Sequence, residues 1–191
     1  MKKTGLFFGS FNPIHIGHLA IANYMLAFSE IEELWFVVSP HNPFKTLSEM
    51  LPEADRLHLV NLSIEGHPSY RSCDLEFHMP KPSYTVDTLA LLSKTHPQRE
   101  FSLILGSDNL EQFHKWKDSQ RIVDRFHRHV YPRPGTAPHL LEHVENATIA
   151  DAPQMDISST FIRNAIADGR DVPFFLHRKA YSHIMEKRMY M

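Results

Sequence analysis

Two histidines stand three residues apart near the start of the chain, within the segment GSFNPIHIGH at residues 9–18. At a helix entrance His15 and His18 would project to the same side, where ring N–H groups can donate hydrogen bonds to phosphate oxygens. Glycines and a proline permit a tight turn there, and the first backbone N–H groups of a helix attract anions. The segment therefore predicts a phosphate-binding loop that runs into a helix.

The histidine pair also fits two other roles. One imidazole could cap the helix while the other is buried, or both could bind a metal ion. No third His, Cys, Asp or Glu is adjacent in the loop, so we predict no metal site. The segment is neither a P-loop nor a dinucleotide fingerprint, because G-x-x-x-x-G-K and G-x-G-x-x-G are both absent.

A second segment that could bind an anion is ISSTFIR at residues 157–163. Serines ahead of an apolar-periodic run make a good helix N-cap, and Arg163 in the first turns can reach an anion that the helix start attracts. Alone, this is an ordinary capped helix. Paired with the histidine segment, it supplies a second phosphate-binding helix start from a distant part of the chain.

The elements that must position these segments follow from the apolar patterning. Apolar runs at residues 6–8, 34–38 and 101–105 lack the alternation of a half-exposed strand and indicate strands covered on both faces. Helical patterns lie between them, at 19–28, 54–64 and 84–95. This alternation predicts an α/β fold with a doubly wound, mainly parallel sheet and right-handed crossovers. Ligands bind such sheets at the carboxyl ends of the strands, which are followed here by residues 9–18, 39–46 and 106–116.

The rest of the chain predicts shorter elements. We expect a strand at 70–77, short strands at 130–131 and 148–149, and helices at 119–126 and 160–168, the latter closed by Gly169. A last amphipathic helical segment is predicted at 174–189. One of its faces comprises Ala180, Tyr181, Ile184 and Met185.

The length, composition and net charge of the chain are those of an ordinary globular protein. The 191 residues are 42% hydrophobic and 22% charged, which predicts a single globular domain over 1–191. A net charge of −2 gives no general attraction to nucleic acid or to an anionic membrane. The apolar run near the N-terminus is too short for a signal peptide or a membrane span, so we expect a cytoplasmic protein.

The lone cysteine and most of the fourteen histidines are expected to have no catalytic role. Cys73 has no partner for an internal disulfide and lies in a strand-like pattern, which favours packing. Most of the histidines are expected to face solvent, among them His127, His129, His139 and His143.

The two anion-binding segments together resemble the paired signature of the nucleotidyltransferase superfamily named after its H-x-G-H motif. The intervening segments narrow the resemblance to nicotinate-nucleotide adenylyltransferases: NPFK at 42–45, PSYT at 82–85, GSD at 106–108, Trp116 and RPG at 133–135. The match covers nearly the whole chain. It implies a Rossmann-like fold with a C-terminal helical segment. The implied reaction transfers adenylyl from ATP, with Mg²⁺, to nicotinic acid mononucleotide and releases pyrophosphate, a step of NAD biosynthesis.

Carried over position by position, the resemblance implies three groups of site residues. The catalytic residues are His15, His18 and Arg163. The ATP-binding residues are Gly9, Ser10, Phe11, His15, Gly17, His18, Lys45, Ser158, Ser159, Thr160 and Arg163. The residues that bind the nicotinate nucleotide are Asn12, Thr85, Gly106, Asp108, Trp116 and Arg133.

Some points stay open at the level of sequence. The family commonly has His where Phe44 stands and often Asp where Asn12 stands, which makes the contribution of Lys45 less certain. Trp116 could instead be a core residue, and Asp108 could cap a helix that begins near Asn109. Nicotinamide mononucleotide, phosphopantetheine and a catalytically silent ATP-sensing module are the rival interpretations, and a homo-oligomer is possible.

Overall fold

The structure is a computed structural model that describes residues 1–40, 50–136 and 144–191. In these ranges six strands form one sheet in which every neighbouring pair is parallel. The strand order is β3-β2-β1-β4-β5-β6. The strands are β1 (Lys2–Gly9), β2 (Glu33–Val38), β3 (Tyr70–Cys73), β4 (Arg99–Gly106), β5 (Arg128–Tyr131) and β6 (Ala147–Ile149).

Helices connect and cover the strands. The α-helices are α1 (Ile16–Phe28), α2 (Glu53–Ile64), α3 (Thr85–Thr95), α4 (Leu110–Phe113), α5 (Ser119–Arg125), α6 (Ser159–Ala167) and α7 (Arg178–Glu186). Single 3₁₀ turns lie at Leu75–His78, Ser107–Asn109 and Pro173–Phe175.

Both faces of the sheet are buried, as the uninterrupted apolar runs predict. Phe7 and Ile104 point to one face and pack with residues of α1, α2, α6 and α7. Leu6 and Leu103, their neighbours along the strands, point to the other face and pack with residues of α3 and α5. A continuous apolar run is therefore needed in each central strand, because successive side chains enter different cores.

The strand order places a topological switch between β1 and β4. Chain connections leave these two neighbours toward opposite edges of the sheet, which opens a crevice at their carboxyl ends. β1 ends at Gly9 and β4 ends at Gly106. The predicted doubly wound α/β fold is confirmed, and the crevice lies between two of the segments that the sequence singles out.

Some local predictions are wrong. The strand predicted at 70–77 ends at Cys73 and continues as a 3₁₀ turn. The helix predicted at 174–189 begins only at Arg178, because Leu176 and His177 adopt extended backbone and break the pattern after the turn Pro173–Phe175. On the face predicted to hold Ala180, Tyr181, Ile184 and Met185, Ala180 and Ile184 are fully buried and Met185 is 37% exposed.

His129 is also buried, contrary to the expected exposure. It lies on β5, an interior strand between β4 and β6, and is 9% exposed. His127 is partly buried, whereas His139 and His143 lie outside the described residues. Among the residues described, no helix is long and apolar enough to cross a membrane.

Candidate active site

The loop after β1 has an unusual backbone at Phe11. Its φ of 44° lies in the left-handed region, which non-glycine residues seldom adopt, and its ring is 2% exposed. The ring packs against Gly9, where an added Cβ would come within 2.9 Å of it. Phe11 also contacts Phe7 and His18, with ring centroids 5.9 and 5.1 Å apart. The absence of a side chain at Gly9 thus lets Phe11 enter the core and fix the loop.

His15 and His18 meet at the start of α1. Their ring centroids are 3.7 Å apart, and the His15 backbone N–H donates to His18 Nδ1 over 3.2 Å. The interpretation of one capping and one buried histidine is thus correct for local structure: the His18 ring satisfies a backbone donor at the helix start, and His15 is 3% exposed. This hydrogen bond also has a chemical consequence. Because Nδ1 accepts, a neutral His18 carries its proton on Nε2, which becomes a donor.

Burial determines the charge of His15. It lowers the pKa of His15 to about 3, and the positive charge of Arg133 contributes in the same direction. His15 is therefore neutral at physiological pH. Its Nδ1 is buried and has no hydrogen-bond partner among the described groups. Gly17 leaves room for this ring, since an added Cβ would lie 3.0 Å from His15 Nδ1.

The start of α6 is joined directly to the β1 loop. Ser158 caps the helix by accepting from the Phe161 N–H over 3.1 Å. The Ser159 hydroxyl donates to the Pro13 carbonyl over 2.9 Å, which ties the second predicted segment to the first.

Arg163 makes the second link between these segments. Its Nη1 donates to the Asn12 carbonyl over 3.0 Å, and its Nη2 contacts Thr160 Oγ1 at 3.4 Å. Arg163 and the carbonyl it reaches are 151 positions apart in sequence, and His15 follows Asn12 by three residues. The structure therefore brings the imidazole pair and the guanidinium to one loop.

The other wall of the crevice begins at Gly106. An added Cβ there would lie 2.3 Å from Asp108 Oδ1 and 3.0 Å from Arg133 Cγ, so only glycine allows the Asp108 carboxylate to turn back over the end of β4. Asp108 lies inside a 3₁₀ turn and does not cap a helix. Its carboxylate is 3.9 Å from Arg133 Nε, and both side chains are partly exposed.

Arg133 connects the two walls. It lines a small cavity together with His15, His18 and Tyr131. Its backbone N–H donates to Ser107 Oγ over 2.8 Å, which fixes the β5 loop against the β4 loop. A cationic side chain therefore stands beside the histidine pair.

Thr85 and Trp116 come from neighbouring segments. Thr85 is the first residue of α3, and Trp116 packs its ring on Phe113 with centroids 5.1 Å apart. Lys117 joins the segments: its ammonium lies 4.7 Å from the centre of the Tyr84 ring and 2.8 Å from Asp87 of α3. Trp116 is partly buried against the second core, so it has a packing role.

The remaining predicted contacts are distributed as follows. The Ser10 carbonyl accepts from Arg56 Nη1 over 2.6 Å. Asn12 is 5% exposed, and its Oδ1 accepts from the Leu51 N–H over 3.1 Å. Lys45, like Phe44, lies outside the described residues.

Sequence reasoning missed Arg56. This side chain is fully buried and donates to the carbonyls of Leu51, Ser10, Ser39 and Pro40 over 2.6–3.0 Å. It thereby holds the chain that follows β1 and the chain that follows β2. A signal was present, because an arginine occupies the buried stripe of α2 that Leu59, Val60 and Ile64 continue.

Known proteins of one family are similar to this chain over most of its length. The cytidylyltransferase-like family profile matches residues 6–165. A Bacteroides fragilis protein named "probable nicotinate-nucleotide adenylyltransferase" is 51% identical over 185 residues, which span 97% of this chain and 92% of the relative. A Bacteroides thetaiotaomicron protein of the same name is 48% identical, with coverages of 96% and 91%.

Solved structures share the fold. Nicotinic acid mononucleotide adenylyltransferase from Plasmodium falciparum, complexed with NaAD, superposes with a TM-score of 0.85 at 20% identity and covers 100% of this chain and 98% of its own. A Vibrio parahaemolyticus structure named "putative nicotinate-nucleotide adenylyltransferase" has a TM-score of 0.74 at 22% identity, with coverages of 100% and 96%.

Proposed function

The chain belongs to the nicotinate-nucleotide adenylyltransferases of the cytidylyltransferase-like family, and on this premise we propose that it joins ATP to nicotinic acid mononucleotide. The products are nicotinic acid adenine dinucleotide and pyrophosphate, in NAD biosynthesis. The observation that carries this function is the hydrogen bonding of Arg163 and Ser159 to the loop that presents His15 and His18.

The reaction needs no covalent intermediate. A phosphate oxygen of the mononucleotide attacks the α-phosphorus of ATP, the new P–O bond forms, and the bond to the β-phosphate breaks with its electron pair leaving on pyrophosphate. A phosphate monoester is largely ionised at neutral pH, so no general base is required. The enzyme has to bring two polyanions together and stabilise the charge that builds on the transferred and departing groups.

The β1 loop and α6 supply the groups for this task. His18 offers an Nε2–H donor because His15 N–H occupies its Nδ1. Arg163 supplies a fixed positive charge at the same loop. We assign the α- and β-phosphates to these two groups, with the backbone N–H groups that follow Ser158 completing the polyphosphate site.

The β4 side supplies the acceptor site in this proposal. Asp108 would bind nucleotide hydroxyls, and Arg133 would offset the charge of the mononucleotide phosphate. Thr85 and the backbone near Trp116 would hold the pyridine carboxylate while the Trp116 ring stacks on the pyridine.

Magnesium belongs to the substrate in this scheme. The groups assigned to the phosphates are an imidazole, a guanidinium and backbone N–H groups, which suit anions. We propose that Mg²⁺ enters with ATP and neutralises phosphate charge. The cytoplasmic location and a homo-oligomer stay predictions from the sequence.

One assay tests the function against its rivals. Purified protein is incubated with ATP, MgCl₂ and nicotinic acid mononucleotide, and the dinucleotide is detected by mass. Parallel reactions contain nicotinamide mononucleotide or phosphopantetheine. We expect the highest kcat/KM with the nicotinate compound. ATP binding by calorimetry without turnover on any acceptor would replace this function with that of an ATP sensor.

A further inference from the structure

The residues that follow α7 turn back toward the β1 loop. The N–H of Met189 donates to the Ile184 carbonyl over 3.0 Å, and the N–H of Arg188 donates to Met185 over 3.3 Å. Arg188 and Tyr190 have φ of 52° and 65°, so the chain reverses direction through left-handed residues. Met189 and Tyr190 then pack against the core formed by the helices on that face. The turn thus delivers the Tyr190 side chain into the protein.

The Tyr190 hydroxyl ends at Asn12. It lies 2.9 Å from Asn12 Oδ1, which also accepts from the Leu51 N–H over 3.1 Å. Because a backbone N–H can only donate, the amide oxygen must face this point, and the tyrosine must be the donor. Burial raises the pKa of Tyr190 against the opposing charges of Arg163 and Arg56, so the hydroxyl keeps its proton at neutral pH.

Asn12 links Tyr190 to Arg163 at the proposed phosphate site. Its side chain is tied by two donors, and its backbone carbonyl accepts from Arg163 Nη1 over 3.0 Å. Restraint of the side chain limits rotation of the Asn12 peptide unit, so its carbonyl presents a preferred direction to the guanidinium. The sequence separation of 178 residues between Tyr190 and Asn12 means that this restraint exists only in the folded chain.

We propose that Tyr190 is a positioning residue for nucleotide binding: its hydroxyl, by holding Asn12, orients the Arg163 guanidinium for a phosphate of ATP. This role rests on the proposed function for the identity of the nucleotide. A tyrosine that only filled space would affect the stability of the fold without a selective effect on ATP.

The test is Tyr190→Phe, which removes the hydroxyl and keeps the ring. ATP affinity, measured by calorimetry without an acceptor, should weaken by about three- to tenfold, the range expected for one neutral hydrogen bond. The KM for ATP should rise by a similar factor. The matched control is Tyr181→Phe on α7, which removes a hydroxyl bonded to Asp171 and should leave ATP affinity unchanged.

A double variant tests the route through Arg163. In an Arg163→Ala background, Tyr190→Phe should cause no further loss of ATP affinity, because the group that it orients is already absent. Asn12→Ala, which leaves Tyr190 in place, gives a second approach and should weaken ATP binding as Tyr190→Phe does.

Two results would overturn the proposal: wild-type ATP affinity in folded Tyr190→Phe, or independent losses that multiply in the double variant. The ATP titration separates this inference from the proposed function, since it is read without turnover. Absence of dinucleotide synthesis would reject the function, whereas the ATP affinities alone decide the role of Tyr190.

Discussion

His18 has two nitrogen atoms with separate roles, and this allows a sharp prediction. Nδ1 accepts the His15 N–H over 3.2 Å, and Nε2–H is the proposed donor to the α-phosphate. Asparagine places its Oδ1 near the position of Nδ1 and has no group at Nε2. His18→Asn should therefore keep the helix start intact and remove only the catalytic donor.

The expected loss follows from the role of one preorganised donor. Removing such a group from a charge-stabilising site costs about 100- to 1000-fold in turnover, or roughly 2.7–4 kcal/mol. Pyrophosphate release at saturating ATP and mononucleotide measures kcat for His18→Asn. His18→Gln, whose amide nitrogen lies near the position of Nε2, should recover part of the lost rate.

A stability measurement completes the comparison. His18→Ala removes both functions and should unfold at a lower urea concentration than His18→Asn. Its free energy of unfolding should be about 1 kcal/mol smaller, because the acceptor at the helix start is lost. A loss of less than tenfold in kcat for folded His18→Asn would refute the assignment of Nε2 as the principal donor.

Three further predictions concern the acceptor wall, the guanidinium and acid stability. Gly106→Ala should displace the Asp108 carboxylate, because the added Cβ would lie 2.3 Å from Asp108 Oδ1. The KM for the mononucleotide should rise about tenfold with little change in the KM for ATP. Equal effects on the two KM values would contradict this prediction. Arg163→Ala should raise the KM for ATP more than the KM for the mononucleotide, as initial rates with either substrate varied would show. Burial, followed by the charge of His127, lowers the pKa of His129 to about 4. The folded protein then binds fewer protons at His129 than the unfolded chain does between pH 6.5 and 4, so His129 alone should lower the stability by about 3 kcal/mol as the pH drops through that window. His129→Gln should make the free energy of unfolding, measured with urea at each pH, depend less on pH in this window. An unchanged dependence on pH would refute the prediction.

Much of the fold was predictable because its central strands are buried on both faces. Two adjacent residues of β1, Leu6 and Phe7, serve different cores, so the apolar run had to be continuous. The crevice followed from the strand and helix alternation. Its location at Gly9 and Gly106 depended only on where the apolar runs end.

The parts that escaped prediction depend on contacts across the chain. The left-handed backbone of Phe11 goes with the space over Gly9 and with ring contacts to Phe7, His18 and Phe36, which a local pattern does not reveal. The role of Asn12 depends on Tyr190, 178 positions away. His129 was predicted to be exposed because histidine is a polar residue. The sequence does not show that β4 and β6 lie on either side of its strand.

The link between Asn12 and Arg163 also has a consequence for biosynthesis of the protein itself. Because the partners are 151 positions apart, a ribosome that has released only the first half of the chain cannot yet present the paired anion site. In the proposed function, ATP therefore stabilises only molecules in which α6 has docked, as a selective ligand for the finished fold. Cellular ATP would thus favour completed enzyme over folding intermediates.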